Sequence, residues 1–302
     1  MKLSLDGLLV LDAIARKGSF AAAAEELHRV PSAITYTVQK LEQDLNIQVF
    51  DRSGHRARLT PAGEELLKEG RHLLRGAADL ESRIQRVARG WETELCIAVD
   101  ELIPVSRLLP LIGEFYREGS GTRLRISAEV LGGCWDALVT GRADLIVAAT
   151  GDPPSEGGLA IRPFGSVDWA FAVAPHHPLA KAAGPVASAD ILAHRAVVLA
   201  DTSRNLPPRT TGLLTGQDTL TVPTIRAKID AQIAGFGVGY LPKQLALPEI
   251  EAGLLVVLQV EEPKPAAPMS LAWRPRDAGK ALKWWVTRLE DERVRATLFA
   301  SR

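Results

Sequence analysis

A chain of 302 residues is longer than one typical domain, and its length gives about two or three. At 46% apolar and 24% charged residues it can bury a core unaided, and two cysteines, Cys96 and Cys134, exclude a disulfide framework and fit a reducing cytoplasm. With 36 basic and 36 acidic residues the net charge is zero, which excludes a general polycation and predicts weak nonspecific affinity for nucleic acid.

Residues 1–19 lack the basic, apolar, small-residue order of a signal peptide, and no apolar run could span a bilayer, so no membrane partner is expected. Instead Leu5, Leu8, Leu9, Leu11, Ala13 and Ile14 give a first helix with a wide apolar stripe, closed by Gly18. Ser19 suits the N-cap of the next helix, and its hydroxyl can also meet a phosphate. Residues 20–27 are alanine-rich, the bias of a helix packed tightly against a neighbour. His28 and Arg29 interrupt it, and Pro31 fits the first position of a third helix. There Ile34, Val38, Leu41 and Leu45 make one buried face, and Ser32, Thr35, Tyr36, Gln39 and Lys40 lie opposite. Two short helices and a tight turn, the second helix polar outside, spell a helix-turn-helix whose second helix enters a major groove. Gln39 can pair with an adenine edge, and Lys40 with guanine or phosphate.

Residues 47–60 read as a β-hairpin whose Ser-Gly turn is flanked by Arg52, His55, Arg56 and Arg58. Such a basic wing suits a phosphate row or a minor groove, and this local charge governs docking despite the neutral whole. Thr60 then caps a new helix with Pro61 at its first position.

The segments GSFAAAAEEL, QKLEQDLN and VFDRSGHRARLTPAG, in order and without a gap, resemble the DNA-binding domain of LysR-type transcriptional regulators. Within that family, RVPSAITYTVQKLE and ARGWE are similar to the subgroup containing the regulator YhaJ. Most members carry Ser-Gln where this chain has Val30-Pro31, and that glutamine often faces bases. The resemblance therefore sets Pro31 against DNA beside Ser32 and Thr35, with a changed base-reading set.

No proline interrupts residues 62–90, and Leu66, Leu73, Leu80 and Val87 recur every seven residues, with Ala77 and Ile84 filling the stripe. About thirty helical residues span roughly 45 Å, too long for one small domain to cover, so this linker helix is expected to pair with a second copy. Two winged modules so held would read an interrupted inverted repeat.

From residue 91 the texture becomes α/β. Strands are expected at 94–100, 123–130 and 143–149, with helices at 104–118 and 134–141 between them, a doubly wound order. A second run starts at 167–175. It continues with strands at 195–201 and 219–224, a helix at 225–235, then VGYLP and LLVVLQ. A Pro-rich crossing at 261–268 precedes a strand at 269–275 and a last helix at 279–299. The expected architecture is multidomain, α plus α/β. It has a winged helix-turn-helix over 1–60, a linker helix over 61–90, and a two-lobed periplasmic-binding-protein-like domain over 91–302. Lobe I takes about 91–163 and 266–302, and lobe II about 164–265.

Small molecules bind such folds in the crevice beyond the strand ends. Here those ends supply Asp100, Glu101, Leu102 and Ile103, then Gly133 and Trp135, then Asp201, Thr202 and Ser203, with Thr224 and Ile225 at a helix start. By position these match the segments lining the effector pocket of LysR-type proteins. Three carboxylates would make the mouth acidic, with Arg204 the nearest compensating charge, so a neutral or aromatic effector is expected. As an alternative, Cys134 starts a helix, where a thiolate can be stabilised for redox sensing.

The glycines of 234–240 follow a helix rather than a strand, so no dinucleotide fingerprint is read there. His176-His177 lies in a proline-flanked loop without ligand-spaced partners. No catalytic residue, metal site or cofactor is expected. The partners implied by the resemblance are double-stranded DNA, a small-molecule effector, RNA polymerase and the chain itself, as a dimer of dimers.

Overall fold

A computed structural model of the chain describes residues 2–51, 58–154 and 157–299. They fall into two compact units, Met1–Ala88 and Arg89–Arg302.

In the first unit, α1 (Leu5–Lys17) begins at Ser4, whose hydroxyl accepts the Gly7 N–H at 3.1 Å, and stops at left-handed Gly18. Ser19 caps α2 (Phe20–Glu26) in the same way, accepting the Ala22 N–H. His28 turns the chain at a φ of 53°, and Pro31 opens α3 (Pro31–Leu45). Val10, Leu11, Ile14, Ala23, Ala24, Ile34 and Val38 close over Val49 and Phe50 as one core. The buried alanines let the three helices approach closely.

Glu42 is a buried member of α3 that periodicity does not flag. Its Oε1 accepts the Val49 N–H at 2.8 Å and the Phe50 N–H at 3.3 Å, fastening α3 to β1 (Phe50–Asp51). β1 pairs antiparallel with β2 (Arg58–Leu59); the turn between them, with Arg52 and Arg56, lies outside the described residues. Thr60 accepts the Gly63 N–H at 3.0 Å and caps α4 (Pro61–Ala88). A Cβ on Gly63 would sit 2.2 Å from the Val49 carbonyl oxygen, so glycine lets α4 start against the wing.

The second unit runs β3 (Glu94–Asp100), α5 (Leu109–Arg117), β4 (Arg123–Glu129), α6 (Gly133–Val139), β5 (Leu145–Thr150), β6 (Ala160–Val167) and β7 (Trp169–Val173). Then come α7 (Ser188–Leu192), β8 (Ala196–Leu199), β9 (Thr219–Val222), α8 (Ile225–Ile233), β10 (Gly239–Pro242), α9 (Lys243–Glu251), β11 (Val256–Val257), β12 (Ala267–Trp273), α10 (Lys280–Glu290) and α11 (Glu292–Phe299). One lobe is a five-stranded sheet in the order β4-β3-β5-β12-β6, its first three strands parallel and β12 antiparallel to β5. The other carries the antiparallel set β10-β7-β11 and the parallel pair β8-β9, joined where Val197 N–H meets the Val238 carbonyl at 2.9 Å. The chain crosses between lobes at Asp168 and again before β12.

Several expectations need correction. Residues 160–167 carry Pro163 and Gly165, which disguise an edge strand with a register shift opposite Met269 and Ser270. The helix expected from 104 opens as a 3₁₀ turn, Val105–Leu108. The last helix is two, because Asp291 leaves helical geometry and accepts the Arg293 N–H at 2.8 Å as a new cap. α9 was not foreseen, since Pro248 sits inside it.

Candidate functional site

Three regions collect the residues singled out by sequence. On α3, Pro31, Ser32, Thr35, Tyr36, Gln39 and Lys40 are all exposed, while Ile34, Val38 and Leu41 are buried. Beyond Pro31 the outer face is therefore polar at Ser32, Thr35, Gln39 and Lys40, with Tyr36 among them. Within it Thr35 is partly committed, because its hydroxyl donates to the Pro31 carbonyl at 3.0 Å and only its lone pairs remain free. Ser19 is the reverse case: its oxygen accepts a cap bond, and its hydroxyl proton remains available to an anion. Val30, just before α3, is exposed and apolar. On the wing, Arg58 is exposed.

The turn preceding α3 is held from outside. Arg29 donates to both oxygens of Asp6, at 2.7 and 3.0 Å, and that bond lowers the Asp6 carboxyl below its ordinary range. Asp12 takes Arg16 from its own helix and Arg71 from α4, at 2.8 and 2.7 Å. These pairs lie at the surface and set orientation more than stability.

α4 changes character along its length. Leu66 and Leu67 pack onto the core of their own module, so Leu66 does not join an open stripe as expected. Ala77 is half-buried. Leu73, Leu80, Ile84 and Val87 stand 51–60% exposed on one side of the helix. Four large apolar side chains left in water along a single helix face need a cover.

In the second unit the crevice residues mostly bind one another. Thr202 donates to Glu129 Oε2 at 2.6 Å and accepts the Val130 N–H at 2.9 Å. Asp201 accepts the N–H of Gly132, Ser203 and Arg209, at 3.2, 2.7 and 2.6 Å. Below them, wholly buried Asp136 accepts the N–H of Asn205 and Leu206 through one oxygen, at 2.8 Å each, and Arg142 through the other at 2.9 Å. Arg142 also donates to Glu129 at 2.9 Å. Segment 201–206 of one lobe thus lies bonded across the strand ends of the other. Glycines make the approach possible: a Cβ on Gly133 would fall 1.8 Å from Thr202 Oγ1, and one on Gly132 2.5 Å from Ser203 Oγ.

The acidic mouth is not what the structure presents. Asp100 is buried and accepts the Leu102 N–H at 3.1 Å. Burial, against that bond and with Glu101, Asp201 and Glu129 nearby, pushes its carboxyl up to about 8. Glu101 turns to the start of α8, accepting the Ile225 N–H at 2.7 Å. The carboxylates satisfy backbone groups, so they do not by themselves disfavour an anionic ligand. Trp135 is no wall: it is fully buried, donating Nε1–H to the Thr150 carbonyl at 3.0 Å. Leu102 and Ile103 are core, Ile225 is nearly so, and Thr224 caps α8 by accepting the Ala227 N–H. An open apolar groove of about 370 Å³ does touch Glu101, Ile103, Thr224 and Ile225, together with Arg226 and Leu245. Sequence reasoning missed Asp136, Arg142 and Glu129; the one local signal is Asp136, a charge inside the otherwise apolar α6.

Cys134 is wholly buried, and burial pushes its thiol well up, with Asp100 and Glu129 adding to the effect. The helix start does not offset this. His177 is also buried, not a surface loop residue; its Nδ1 accepts the Leu179 N–H and its ring meets His194 edge-on at 4.6 Å. Among the described residues, no group of three or more His, Cys, Asp or Glu could hold a metal, and no helix is long and apolar enough to cross a membrane.

Residues 5–64 match the family model described as "Bacterial regulatory helix-turn-helix protein, lysR family", and residues 88–293 match "LysR substrate binding domain". The transcriptional regulator YeeY of Escherichia coli K12 is 45% identical over 285 residues, 94% of this chain and 92% of its own. The regulator YhaJ of the same organism is 40% identical over 282 residues, 93% of this chain and 94% of its own. A solved probable transcriptional regulator from Pseudomonas aeruginosa covers 95% of this chain and 97% of its own, with a TM-score of 0.64 at 20% identity, a likeness of fold.

Proposed function

This chain belongs to the LysR family of helix-turn-helix transcriptional regulators, and from that premise we propose how it reads DNA and what controls it. The observation that carries the reading is the exposed outer face of α3, polar at Ser32, Thr35, Gln39 and Lys40, in the same unit as the β1–β2 wing, where Arg58 is exposed. α3 enters the major groove, where Gln39 pairs with an adenine edge and Lys40 with guanine or phosphate. Exposed Val30 and Pro31 supply apolar contact, suited to a thymine methyl, where relatives carry Ser-Gln. Ser19, Ser32, Thr35 and Tyr36 bind phosphates or flank the bases, and Arg52, Arg56 and Arg58 hold the backbone or minor groove. The exposed stripe of α4 pairs two copies on an interrupted inverted repeat, and two such dimers form a tetramer that acts on RNA polymerase in the cytoplasm.

A small-molecule effector with an aromatic or other apolar body acts in the crevice between the lobes, at the bonds of segment 201–206. It shifts the regulator only by preferring one lobe arrangement over the other. The protein acts by binding, not by turnover.

Replacing Arg58 with alanine is expected to weaken specific and random duplex alike and to lower the salt slope by about one. Gln39→Ala should cost roughly 1–3 kcal/mol on the preferred operator and much less on random DNA. Binding isotherms over a salt series on both duplexes check this. Equal losses for both variants on both duplexes would undo the assignment.

The redox alternative through Cys134 has weaker support, because a buried thiol with a raised pKa resists attack. Cys134→Ser protein should keep the parent's operator affinity before and after peroxide. A peroxide response that the substitution abolishes would restore that reading.

A further inference from the structure

Between Leu131 of one lobe and Trp169, Leu199, Lys228, Tyr240 and Lys264 of the other lies a small cavity of about 30 Å³, room for about one water. Its walls are largely apolar, yet several of the polar groups around it have no hydrogen-bond partner. Lys228 is only 7% exposed, and among the described residues it has no hydrogen bond or ion pair. One helical turn on, Gln232 is wholly buried with neither amide atom bonded. Both side chains reach Gly239, where a Cβ would lie 3.1 Å from Gln232 Nε2 and 3.6 Å from Lys228 Nζ. Lys264 lays its ammonium 3.3 Å from the Trp169 ring centroid, and the Trp169 Nε1–H is buried without an acceptor.

Orphaned buried donors are rare in folded proteins, and each calls for an explanation. Beside them stand two amines, Lys228 buried and Lys264 half-buried, and no carboxylate lines the space. Burial drives the Lys228 amine down to about 7, with the Lys264 charge adding to the effect, and drives Lys264 down to about 8. An anion placed between them would restore both charges and accept the free N–H groups.

We propose that the effector is an organic carboxylic acid, its carboxylate held by Lys228 and Lys264 and its apolar body laid against Trp169, Tyr240 and Leu131. This rests on the effector reading above and names the chemistry of that site. A carboxylate fits better than a free inorganic anion because Leu131, Val198, Leu199 and Pro242 offer an apolar body its place. The cavity is too small for that body as it stands. Leu131 sits in the turn that Asp201 and Thr202 hold, at a left-handed φ of 55°, a conformation unfavourable for leucine. Breaking those bonds lets the turn relax and the cavity open, so ligand entry competes with the contacts between lobes.

The test uses the full-length chain near neutral pH. Benzoate, phenylacetate and hexanoate are titrated beside their neutral amides, with inorganic phosphate as a further arm, and binding is read by calorimetry and melting temperature. At least one acid should bind roughly tenfold more tightly than its amide, the effect of a charge-assisted pair. Lys228→Met and Lys264→Met should each abolish that preference. The Lys228→Met variant should melt at or above the parent without ligand, since it loses a buried amine that has no ion-pair partner among the described residues. The proposal falls if no acid outperforms its amide, if both variants keep the preference, if the Lys228→Met variant melts well below the parent, or if phosphate binds as well as the acids. Operator binding by the unliganded variants should equal that of the parent. A footprint moved by one of the amides but by none of the acids would leave the effector reading standing and remove this inference alone.

Discussion

Replacing Asp136 with alanine is expected to destabilise the second unit by roughly 3–5 kcal/mol, the range for breaking a buried, hydrogen-bonded ion pair from one side. Asp136 is fully buried and serves Arg142 together with the N–H groups of Asn205 and Leu206. Truncation leaves a mostly buried guanidinium to Glu129 alone and strips two backbone donors of their acceptor. The second consequence is local. Amide exchange at Asn205 and Leu206 should accelerate more than in the sheet core, because segment 201–206 loses its deepest anchor. Asp136→Asn keeps the shape but not the charge and should recover only part of the loss.

The pH dependence follows from the same contacts. Burial opposes ionisation, but Arg142 and the N–H groups of Leu206, Asn205 and Arg204 outweigh it and hold the carboxyl at about 2. A folded pKa below the ordinary value stabilises fully above the unfolded carboxylate range and is lost as pH falls through it toward 2. The parent should therefore lose stability on acidification more steeply than the alanine variant. Denaturant unfolding at several pH values checks both statements, and parent-like stability of the variant near neutrality would show that the network is not cohesive.

The second large effect belongs to α4. A Leu80→Glu, Ile84→Glu double variant is expected to sediment at half the parent mass and to bind its operator roughly 10²–10⁴-fold more weakly, the avidity lost when two linked modules separate. Both side chains are more than half exposed in the single chain, at 52% and 59%, so the change should leave each protomer folded. Circular dichroism should be unaltered. The same substitutions at Leu66 would instead strike the module's own core, against which that residue packs. If the double variant keeps the parent mass and affinity, the seam lies elsewhere.

These outcomes separate what the residue string carries from what it does not. The helix-turn-helix was legible because its signals are local: Ser19 and Thr60 as caps, Gly18 as a stop, Pro31 as a first turn, and apolar spacings of three and four. The rod-like α4 was legible for the same reason, as was the α/β alternation that follows it. Where local chemistry contradicted the element, the reading failed: Pro163 and Gly165 hid an edge strand, and Pro248 hid a helix.

The crevice was legible only as a set of strand ends. Which side chains there face a ligand depends on partners tens of residues away, and no spacing encodes that. Asp100, Glu101 and Asp201 look like an acidic mouth in one dimension, yet in three each is turned to a backbone N–H. Trp135 looks like a wall and is core. Conversely, Lys228, Gln232 and Lys264 give no sign in sequence, since a short mixed-polarity helix and a proline-rich crossing are ordinary places for them. Only packing decides that Lys228 is buried, that Gln232 is buried with its amide unbonded, and that Lys264 lies half-buried over the Trp169 ring. By itself the sequence determined the DNA-reading module and the order of elements, because those follow from short-range backbone preference and periodic burial. The tertiary structure alone decided which buried charges are satisfied and which are left waiting, because desolvation and hydrogen-bond partnership are properties of neighbours in space.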